Sequence, residues 1–221
     1  MTRILLISDS PYSGPGGAEA EICHVAPVGS RGDPGSPACW PLADLAVLAA
    51  GQRAEHDGFD AVCLADATDF GAAALRSVLS IPVVPAGRSA MLYALTLGDR
   101  FALISRENVA FRMKKQMREL GLSGQCSGLL TVAGDAPLAH LNEAAGPEPD
   151  AFVLAGPFSA DERADLHRAL ARPVIDPAAL SVQLCLGFLG LGLAHSKNSY
   201  PAPQLARPGM IAVLAAAAQG G

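Results

Sequence analysis

The stretch that decides the fold is Arg-Ile-Leu-Leu-Ile-Ser at residues 3–8, because a near copy, Arg-Phe-Ala-Leu-Ile-Ser, returns at residues 100–105. Two more pieces recur further along, and all three keep the same order. These are Asp-Ala-Val-Cys-Leu-Ala-Asp at 60–66 with Asp-Ala-Phe-Val-Leu-Ala-Gly at 150–156, and Pro-Val-Val at 82–84 with Pro-Val-Ile at 173–175. The repeat predicts two similar lobes that face each other, with paired strand ends lining the cleft between them.

The two copies differ chemically at the residues that follow these strands. Ser8 in the first copy corresponds to Ser105 in the second, whereas Asp66 corresponds to Gly156. One wall of the predicted cleft therefore carries a carboxylate, and the matching place on the other wall carries no side chain. We expect an active site at this difference.

Composition sets limits on the class of protein. The chain has 221 residues, of which 50% are hydrophobic and 17% are charged, as in a compact globular protein. A net charge of −5 without a lysine or arginine block argues against a nucleic-acid partner. The apolar run at 184–194 is shorter than the about 20 residues that a membrane span needs, and the first predicted strand begins almost at once. Neither a membrane segment nor a signal peptide is predicted, so we expect a cytoplasmic protein.

The five cysteines are scattered, odd in number and without Cys-x-x-Cys spacing, which argues against a structural zinc site and against a disulfide framework. Cys63 falls in a predicted strand and Cys185 in a predicted helix, where cysteine usually behaves as a small buried hydrophobe. No metal site is predicted.

Short apolar runs bounded by turn residues alternate with longer amphipathic segments, as is typical of parallel strands joined by helices in an α/β fold. The predicted strands are 3–8, 20–27, 61–64, 81–84, 101–105, 128–132, 152–154 and 173–175. The predicted helices are 42–57, 71–79, 89–97, 107–120, 137–145, 160–171 and 178–193. We place the first lobe at residues 1–97, with the C-terminal tail 196–221 packing back on it, and the second lobe at 98–195.

The connection between the first two strands is irregular. Residues 10–17 are too few and too rich in glycine and proline for the helix that usually joins parallel strands. Either this segment is a loop over the cleft, or the strand at 20–27 pairs in another way. Residues 29–41 predict a second long loop. Long loops in compact domains are often lids, and a plain surface loop fits both segments equally well.

Several pieces between Phe59 and Pro201 together resemble the aspartate/glutamate/hydantoin racemase superfamily, with its arylmalonate decarboxylase and maleate isomerase relatives. The pieces are the second repeat at 150–156, Pro-Val-Val at 82–84, Pro-Val-Ile-Asp-Pro at 173–177, Leu-Gly-Leu at 191–193, Ser-Lys at 196–197 and Tyr-Pro at 200–201. The resemblance implies two Rossmann-like lobes related by a pseudo-twofold axis, without a cofactor. It also implies two cysteines, one after the central strand of each lobe, that act as acid and base on opposite faces of a carbon next to a carboxylate or carbonyl.

This chain departs from that pattern at both cysteine positions. Where the family has Cys-Phe-Gly-Asp-Pro-Gly, residues 66–71 read Asp-Ala-Thr-Asp-Phe-Gly. Where the family has Gly-Cys-Ala or Gly-Cys-Thr, residues 155–158 read Ala-Gly-Pro-Phe. Because Gly156 can neither accept nor donate a proton from a side chain, two-base racemisation is not expected.

Asp66 can still move a proton. In an apolar cleft its charged form is poorly solvated, which raises the pKa of the carboxyl, and Asp69 nearby adds a like charge. This arrangement suits one-sided chemistry: stereospecific protonation after decarboxylation, elimination, one-base isomerisation or activation of water. Two other roles stay open for Asp66, namely capping the following helix and binding a ligand without chemistry. Asp69 is also a candidate cap of that helix.

The other candidates are substrate-binding residues at strand ends. Hydroxyls and backbone N–H groups at serines of this kind can grip a carboxylate, since helix N-termini favour anions, although turn and cap roles fit them as well. Gly156 leaves room for substrate, and Phe158 offers an apolar wall. Arg88 can neutralise an anion, but a solvated arginine is the simpler interpretation, as is a structural role for His195. The predicted substrate-binding set is Ser8, Ser10, Thr68, Asp69, Ser105, Gly156, Pro157 and Phe158.

We expect a cofactor-independent acid–base enzyme, an isomerase or lyase, that acts on a small carboxylate or cyclic amide with Asp66 in place of the first cysteine. The glycine-rich residues 14–17 do not match a dinucleotide-binding fingerprint, because no helix follows them. The alternatives are a hydrolase or elimination lyase that uses Asp66, and a binding protein that kept the cleft without the chemistry. The expected partner is a small molecule, with neither nucleic acid nor membrane, and the family analogy allows a homodimer or higher homo-oligomer.

Overall fold

The computed structural model describes residues 1–9, 20–27, 35–132 and 148–217. They form two four-stranded sheets in which every paired strand is parallel. The first sheet has the order β2-β1-β3-β4 and the second has the order β6-β5-β7-β8. The strands are β1 Thr2–Ile7, β2 Ala20–Val25, β3 Ala61–Leu64, β4 Val83–Pro85, β5 Phe101–Arg106, β6 Cys126–Val132, β7 Ala151–Ala155 and β8 Val174–Ile175. The equal strand orders confirm the predicted α/β fold with two pseudo-symmetric sheets.

Helices flank both sheets. They are α1 Trp40–Gly51, α2 Ala72–Val78, α3 Ala86–Ala94, α4 Glu107–Glu119, α5 Ala160–Ala169, α6 Pro177–Gly190 and α7 Pro208–Ala217. The helix predicted to run to residue 57 ends at Gly51, and its last residues form turns instead. Helix α7 was not predicted. The helix predicted at 137–145 lies outside the described residues.

The pairing of the second strand was left open by the sequence, and the structure decides it. Strand β2 lies parallel to β1 in a register that pairs Thr2 with Ala20 and Ile7 with Val25. Residues 10–19, which connect the two strands, lie outside the described residues, and so do residues 29–34 of the second predicted loop.

Each lobe sends one helix onto the sheet of the other. Helix α3 follows the first sheet, yet its Ala90 and Met91 pack with Phe101 of the second sheet. Helix α6 follows the second sheet, yet its Val182 and Cys185 pack with residues of β1 and β3. Through this exchange each sheet packs against a helix that follows the other sheet. The predicted lobe ranges place α6 in the second lobe, and those ranges stay a prediction.

The tail motif of residues 195–201 supports helix α2. Lys197 Nζ donates to the carbonyls of Arg76, Ser77 and Leu79 at 2.8, 3.0 and 2.6 Å. His195 Nε2 lies 2.9 Å from the Leu79 carbonyl, and its ring meets Tyr200 edge-on. A cation is favourable at the carbonyl end of a helix, because it satisfies acceptors that lack an intrahelical partner. These contacts agree with a structural interpretation of His195.

We expect Lys197→Met to lower stability by about 1 kcal/mol, which corresponds to about 2–4 °C in Tm for a chain of this size. The loss arises because three carbonyls at the end of α2 lose a charged donor. Thermal unfolding is the measurement, with Lys114→Met, at an exposed position of α4, as the matched control. Equal Tm values for the two variants would show that the tail lysine does not support α2.

Candidate functional site

A cavity of about 740 Å³ lies between the two lobes, at the carboxyl ends of the strands. We call it the cleft cavity. The first lobe lines it with residues that follow β1 and β3, and the second lobe lines it with residues that follow β7 and β8. Ligands of parallel α/β sheets bind at this edge, where loops converge. The lining residues used below are Ser8, Asp9, Cys39, Trp40, Asp66, Thr68, Phe70, Asn108, Val109, Gly156, Pro157, Phe158, Ser159, Glu162, Arg163 and Asp176.

Asp66 borders the cleft cavity, as predicted. Strands β1 and β3 are paired with Ile7 opposite Leu64, so the second residue beyond each strand end reaches the same place. These residues are Asp9 and Asp66, and the Asp9 N–H donates to Asp66 Oδ2 at 3.3 Å. Helix α2 begins at Ala72, and the N–H of its N-cap residue Gly71 donates to Asp44 Oδ1 at 2.7 Å, not to Asp66. Asp66 therefore does not cap this helix.

The environment of Asp66 disfavours its charged form. Asp66 has substantial accessible area, and it lines the cleft cavity, where the nearby protein atoms take the place of part of its water. This desolvation, followed by the charges of Asp9 and Asp69, raises the pKa of Asp66 to about 7, against the lowering effect of the Asp9 N–H. A carboxyl with this pKa is populated in both protonation states near neutral pH, which general acid–base catalysis requires.

Asp69 does not have either of its predicted roles. Its carboxylate accepts the N–H groups of Gly87 and Arg88 at 2.8 and 2.6 Å, in the first turn of α3, and it also accepts a hydrogen bond from Gln116 Nε2. It therefore caps α3 and not the adjacent α2, and it does not line the cleft cavity. Burial raises the pKa of Asp69 to about 6, although the N–H groups and the charges of Arg112 and Arg76 oppose the rise.

The predicted serines separate into different environments. Ser8 is buried and lines the cleft cavity, where His24 Nε2 lies 3.1 Å from both its carbonyl oxygen and its Oγ. Ser105 is fully buried, donates its hydroxyl to the Arg106 carbonyl at 2.9 Å and does not line the cavity. The prediction that Ser105 pairs with Ser8 at the cleft is therefore wrong, because its hydroxyl is bound locally. Ser10 lies outside the described residues, and Thr68 lines the cavity.

The second-lobe wall carries the predicted Gly156, Pro157 and Phe158. Gly156 has φ of +154°, and a Cβ there would lie 3.1 Å from Cγ and 3.3 Å from the backbone nitrogen of Arg106. Arg106 lies over the Phe158 ring at 4.8 Å and forms an ion pair with Glu162. A side chain at this position would therefore crowd Arg106 and strain the backbone, whereas glycine also leaves space for a ligand.

The structure adds site residues that the sequence analysis missed. Asp9 follows Ser8 directly, and Asp176 belongs to the Pro-Val-Ile-Asp-Pro piece, so both were visible as carboxylates beside a strand end. Asp176 accepts the Ala178 N–H at 3.0 Å as the cap of α6 and pairs with Arg163 at 3.3 Å. Cys39, a half-buried thiol, precedes α1. Its place at the cavity could not be predicted, because residue 39 is far in sequence from the strand ends.

Other candidates have no place at the cleft cavity. Arg88 is exposed and does not line it, and its backbone N–H serves Asp69. Across the described ranges, no group of three histidine, cysteine, aspartate or glutamate side chains is arranged to hold a metal ion. The helices found in those ranges are all too short or too polar to cross a membrane.

The raised pKa of Asp66 makes stability depend on pH. Between about pH 4 and pH 7 the folded state keeps a proton that the unfolded state releases, so ionisation of Asp66 lowers stability as the pH rises through this window. Asp66→Asn removes the ionisation, and we expect it to raise Tm at pH 8 by more than at pH 4.5. Thermal unfolding at both pH values, with the exposed Asp99→Asn as control, measures this. An equal shift at both values would contradict a raised pKa.

The crowding at Gly156 gives a second prediction. Gly156→Ala should destabilise the protein by more than about 1 kcal/mol, because the new methyl group meets Arg106 and the positive φ strains an L-residue. Gly124→Ala is the control, since a Cβ at Gly124 meets no atom of the described residues within 4 Å. Chemical denaturation compares the two variants. A Gly156→Ala protein as stable as its control would mean that the position is not sterically restricted.

Comparisons with known proteins agree with this geometry. The family model described as Asp/Glu/Hydantoin racemase matches residues 13–185, well over half of the chain. No curated protein sequence gives a significant match. Among solved structures, allantoin racemase from Klebsiella pneumoniae is similar with a TM-score of 0.77 at 22% identity, covering 93% of this chain and 95% of its own.

Two further solved structures share the fold at lower similarity. Arylmalonate decarboxylase has a TM-score of 0.57 at 17% identity, with 86% of this chain and 93% of its own covered. Glutamate racemase from Thermus thermophilus has a TM-score of 0.57 at 16% identity, with 100% and 93% covered. Together with the match over residues 13–185, the two parallel sheets and their shared cleft show that the chain belongs to the Asp/Glu/hydantoin racemase family.

Proposed function

We propose that the protein is a cofactor-independent enzyme that transfers protons at a carbon next to a carbonyl group, as an isomerase or a lyase. Asp66 is its acid–base group and takes the place that the first catalytic cysteine has in the family. The observation that carries this proposal is the Asp66 carboxyl bordering the cleft cavity with its pKa raised to about 7. Family membership supports an enzyme of this class.

The chemistry is one-sided. Asp66 and Gly156 line the same cavity from different lobes, and glycine brings no group that moves a proton. The carboxylates of the second-lobe wall are engaged, since Asp176 caps α6 and pairs with Arg163, and Glu162 pairs with Arg106. A reaction that needs proton transfer on a single face, such as protonation after decarboxylation or a one-base isomerisation, fits this arrangement.

The walls of the cleft cavity suit a small molecule with a polar carbonyl end and an apolar part. The apolar part of the cavity wall includes Trp40, Phe70 and Phe158. Asn108 and Val109 in the first turn of α4 line the cavity, and among the described side chains the N-cap residue Arg106 makes no cap hydrogen bond. Because the first N–H groups of a helix lack intrahelical partners, this end can accept a carbonyl or carboxylate oxygen. The corresponding ends of α5 and α6 are already closed by Ser159 and Asp176.

Turnover of defined probes tests the proposal. Enantiopure allantoin, L-glutamate and phenylmalonate, chosen after the substrates named for the similar structures, are followed by proton NMR. We expect Asp66→Asn to lower turnover of any accepted probe by about 100-fold or more, the usual contribution of a general acid–base group. Cys39→Ser is measured beside it, because Cys39 is a thiol on the same cavity.

Three results would contradict the proposal and favour another function. Unchanged turnover in Asp66→Asn with loss in Cys39→Ser would move the chemistry to the thiol. Hydrolysis in D2O that leaves the product carbon unlabelled would favour the water-activating alternative. Stabilisation of the protein by a probe, without turnover of any of them, would favour a binding protein of this family.

A further inference from the structure

The second lobe reaches across to the turn that carries Asp66. Helix α4 packs on the second sheet, yet two of its side chains bind first-lobe residues. Arg112 Nε donates to the Thr68 carbonyl at 3.2 Å, and Gln116 Nε2 donates to the Asp69 carboxylate. Gln116 is only 4% exposed, and the Arg112 side chain only 15%. These contacts are therefore shielded from water, where hydrogen bonds fix geometry most strongly.

Asp69, in this turn, is the residue that receives hydrogen bonds from both lobes. Its carboxylate is held by the backbone of Gly87 and Arg88 from one side and by Gln116 from the other. Its φ of +55° is a left-handed conformation that costs energy for a residue other than glycine, so the surrounding contacts must maintain it. The Asp69 N–H also donates to the Asp66 carbonyl at 3.2 Å. The conformation at residue 69 thus decides how residue 66 is presented.

Arg112 adds a second contact between the lobes. Its guanidinium lies 5.1 Å from the Trp40 ring centroid and 5.2 Å from that of Phe70, and both rings line the cleft cavity. Cations over aromatic faces are attracted by the ring quadrupole, more strongly where water is excluded. Arg112 therefore ties the apolar wall and the turn at residues 66–71 to the same helix.

We propose that Arg112 and Gln116 are positioning residues through which the second lobe aims the Asp66 carboxyl at the cleft cavity. This inference rests on the proposed role of Asp66 in proton transfer. At the position paired with Asp66 the second lobe presents only Gly156, so its contribution to proton transfer is indirect. The first-lobe contacts of Asp69 with Gly87 and Arg88 hold the turn from one side, and the two contacts from α4 hold it from the second lobe.

Titration of the two carboxyls reports on this arrangement. Asp66 faces Asp9 beyond β1, while Asp69 lies near Arg112 of α4, Arg76 of α2 and the first turn of α3. Without the Gln116 donor the charged form of Asp69 loses a hydrogen bond, so its pKa rises. A loosened turn exposes Asp66 to water, and a more protonated Asp69 repels it less. Both effects lower the pKa of Asp66.

The experiment compares Gln116→Met and Arg112→Met with controls on exposed positions, Gln183→Met and Arg118→Met. Carbon-13 NMR of the full chain follows the aspartate carboxyls from pH 4 to 9, and the spectrum of Asp66→Asn assigns the Asp66 signal. We expect Gln116→Met to lower the Asp66 midpoint and raise that of Asp69. Its Tm should fall only slightly, because the donor lost from Asp69 is partly offset by removal of Gln116 Oε1, a buried acceptor with no hydrogen-bond partner among the described residues.

For any probe that the protein turns over, both variants should lose about 10- to 100-fold in kcat with little change in KM, as expected when a reacting group is misdirected. Unchanged Asp66 and Asp69 midpoints in both variants would overturn the inference, as would a fall in Tm without any change in titration or kcat. Asp66→Asn separates the two proposals. If Asp66→Asn loses turnover while Gln116→Met and Arg112→Met stay fully active, the positioning role is rejected and the role of Asp66 is kept. If no probe is turned over, the titration decides by itself.

Discussion

The cost of ionising a carboxyl inside a walled cleft is the constraint on which the site depends. Strands β1 and β3 run parallel and in register, so their ends deliver Asp9 and Asp66 to one place. There the protein walls and a neighbouring like charge raise the pKa of Asp66 to about 7. The duplicated fold provides the walls, because each lobe supplies strand ends to the same cavity. The proposed proton-transfer role of Asp66 at neutral pH rests on this placement.

The fold is symmetric, but the site is not. Sheets of equal strand order face each other, and α3 and α6 cross reciprocally between them. At the cleft, the first lobe presents the Asp66 carboxyl, and the second lobe presents Gly156. Arg106 lies so close to Gly156 that a side chain there would be crowded. The second lobe instead contributes hydrogen bonds from α4 to the turn that bears the carboxyl. In the proposed arrangement, one lobe supplies the proton-transfer group and the other positions it, whereas the family pattern implies a matched pair of groups.

Local sequence signals predicted the strands and the place of Asp66 well, since apolar runs and the residues after them are properties of single elements. They failed where a partner is distant in the chain. The sequence offers Asp69 as a substrate-binding residue or as a cap of the helix that follows it, but its carboxylate caps α3, which begins 17 residues later. Ser105 was paired with Ser8 by the repeat, yet its hydroxyl binds the adjacent carbonyl. Helix α7 is apolar on nearly all sides and so has no helical periodicity to detect.

The most direct test of a single proton-handling face is the stereochemical course of labelling. A probe that the protein turns over in D2O, analysed by chiral chromatography and mass spectrometry, shows on which face of the reacting carbon deuterium arrives. One acid opposite a bare glycine predicts one deuterium in a single configuration. Equal labelling of both faces, with the enantiomers interconverting at the rate of exchange, would require a second proton donor across the cleft and contradict the account.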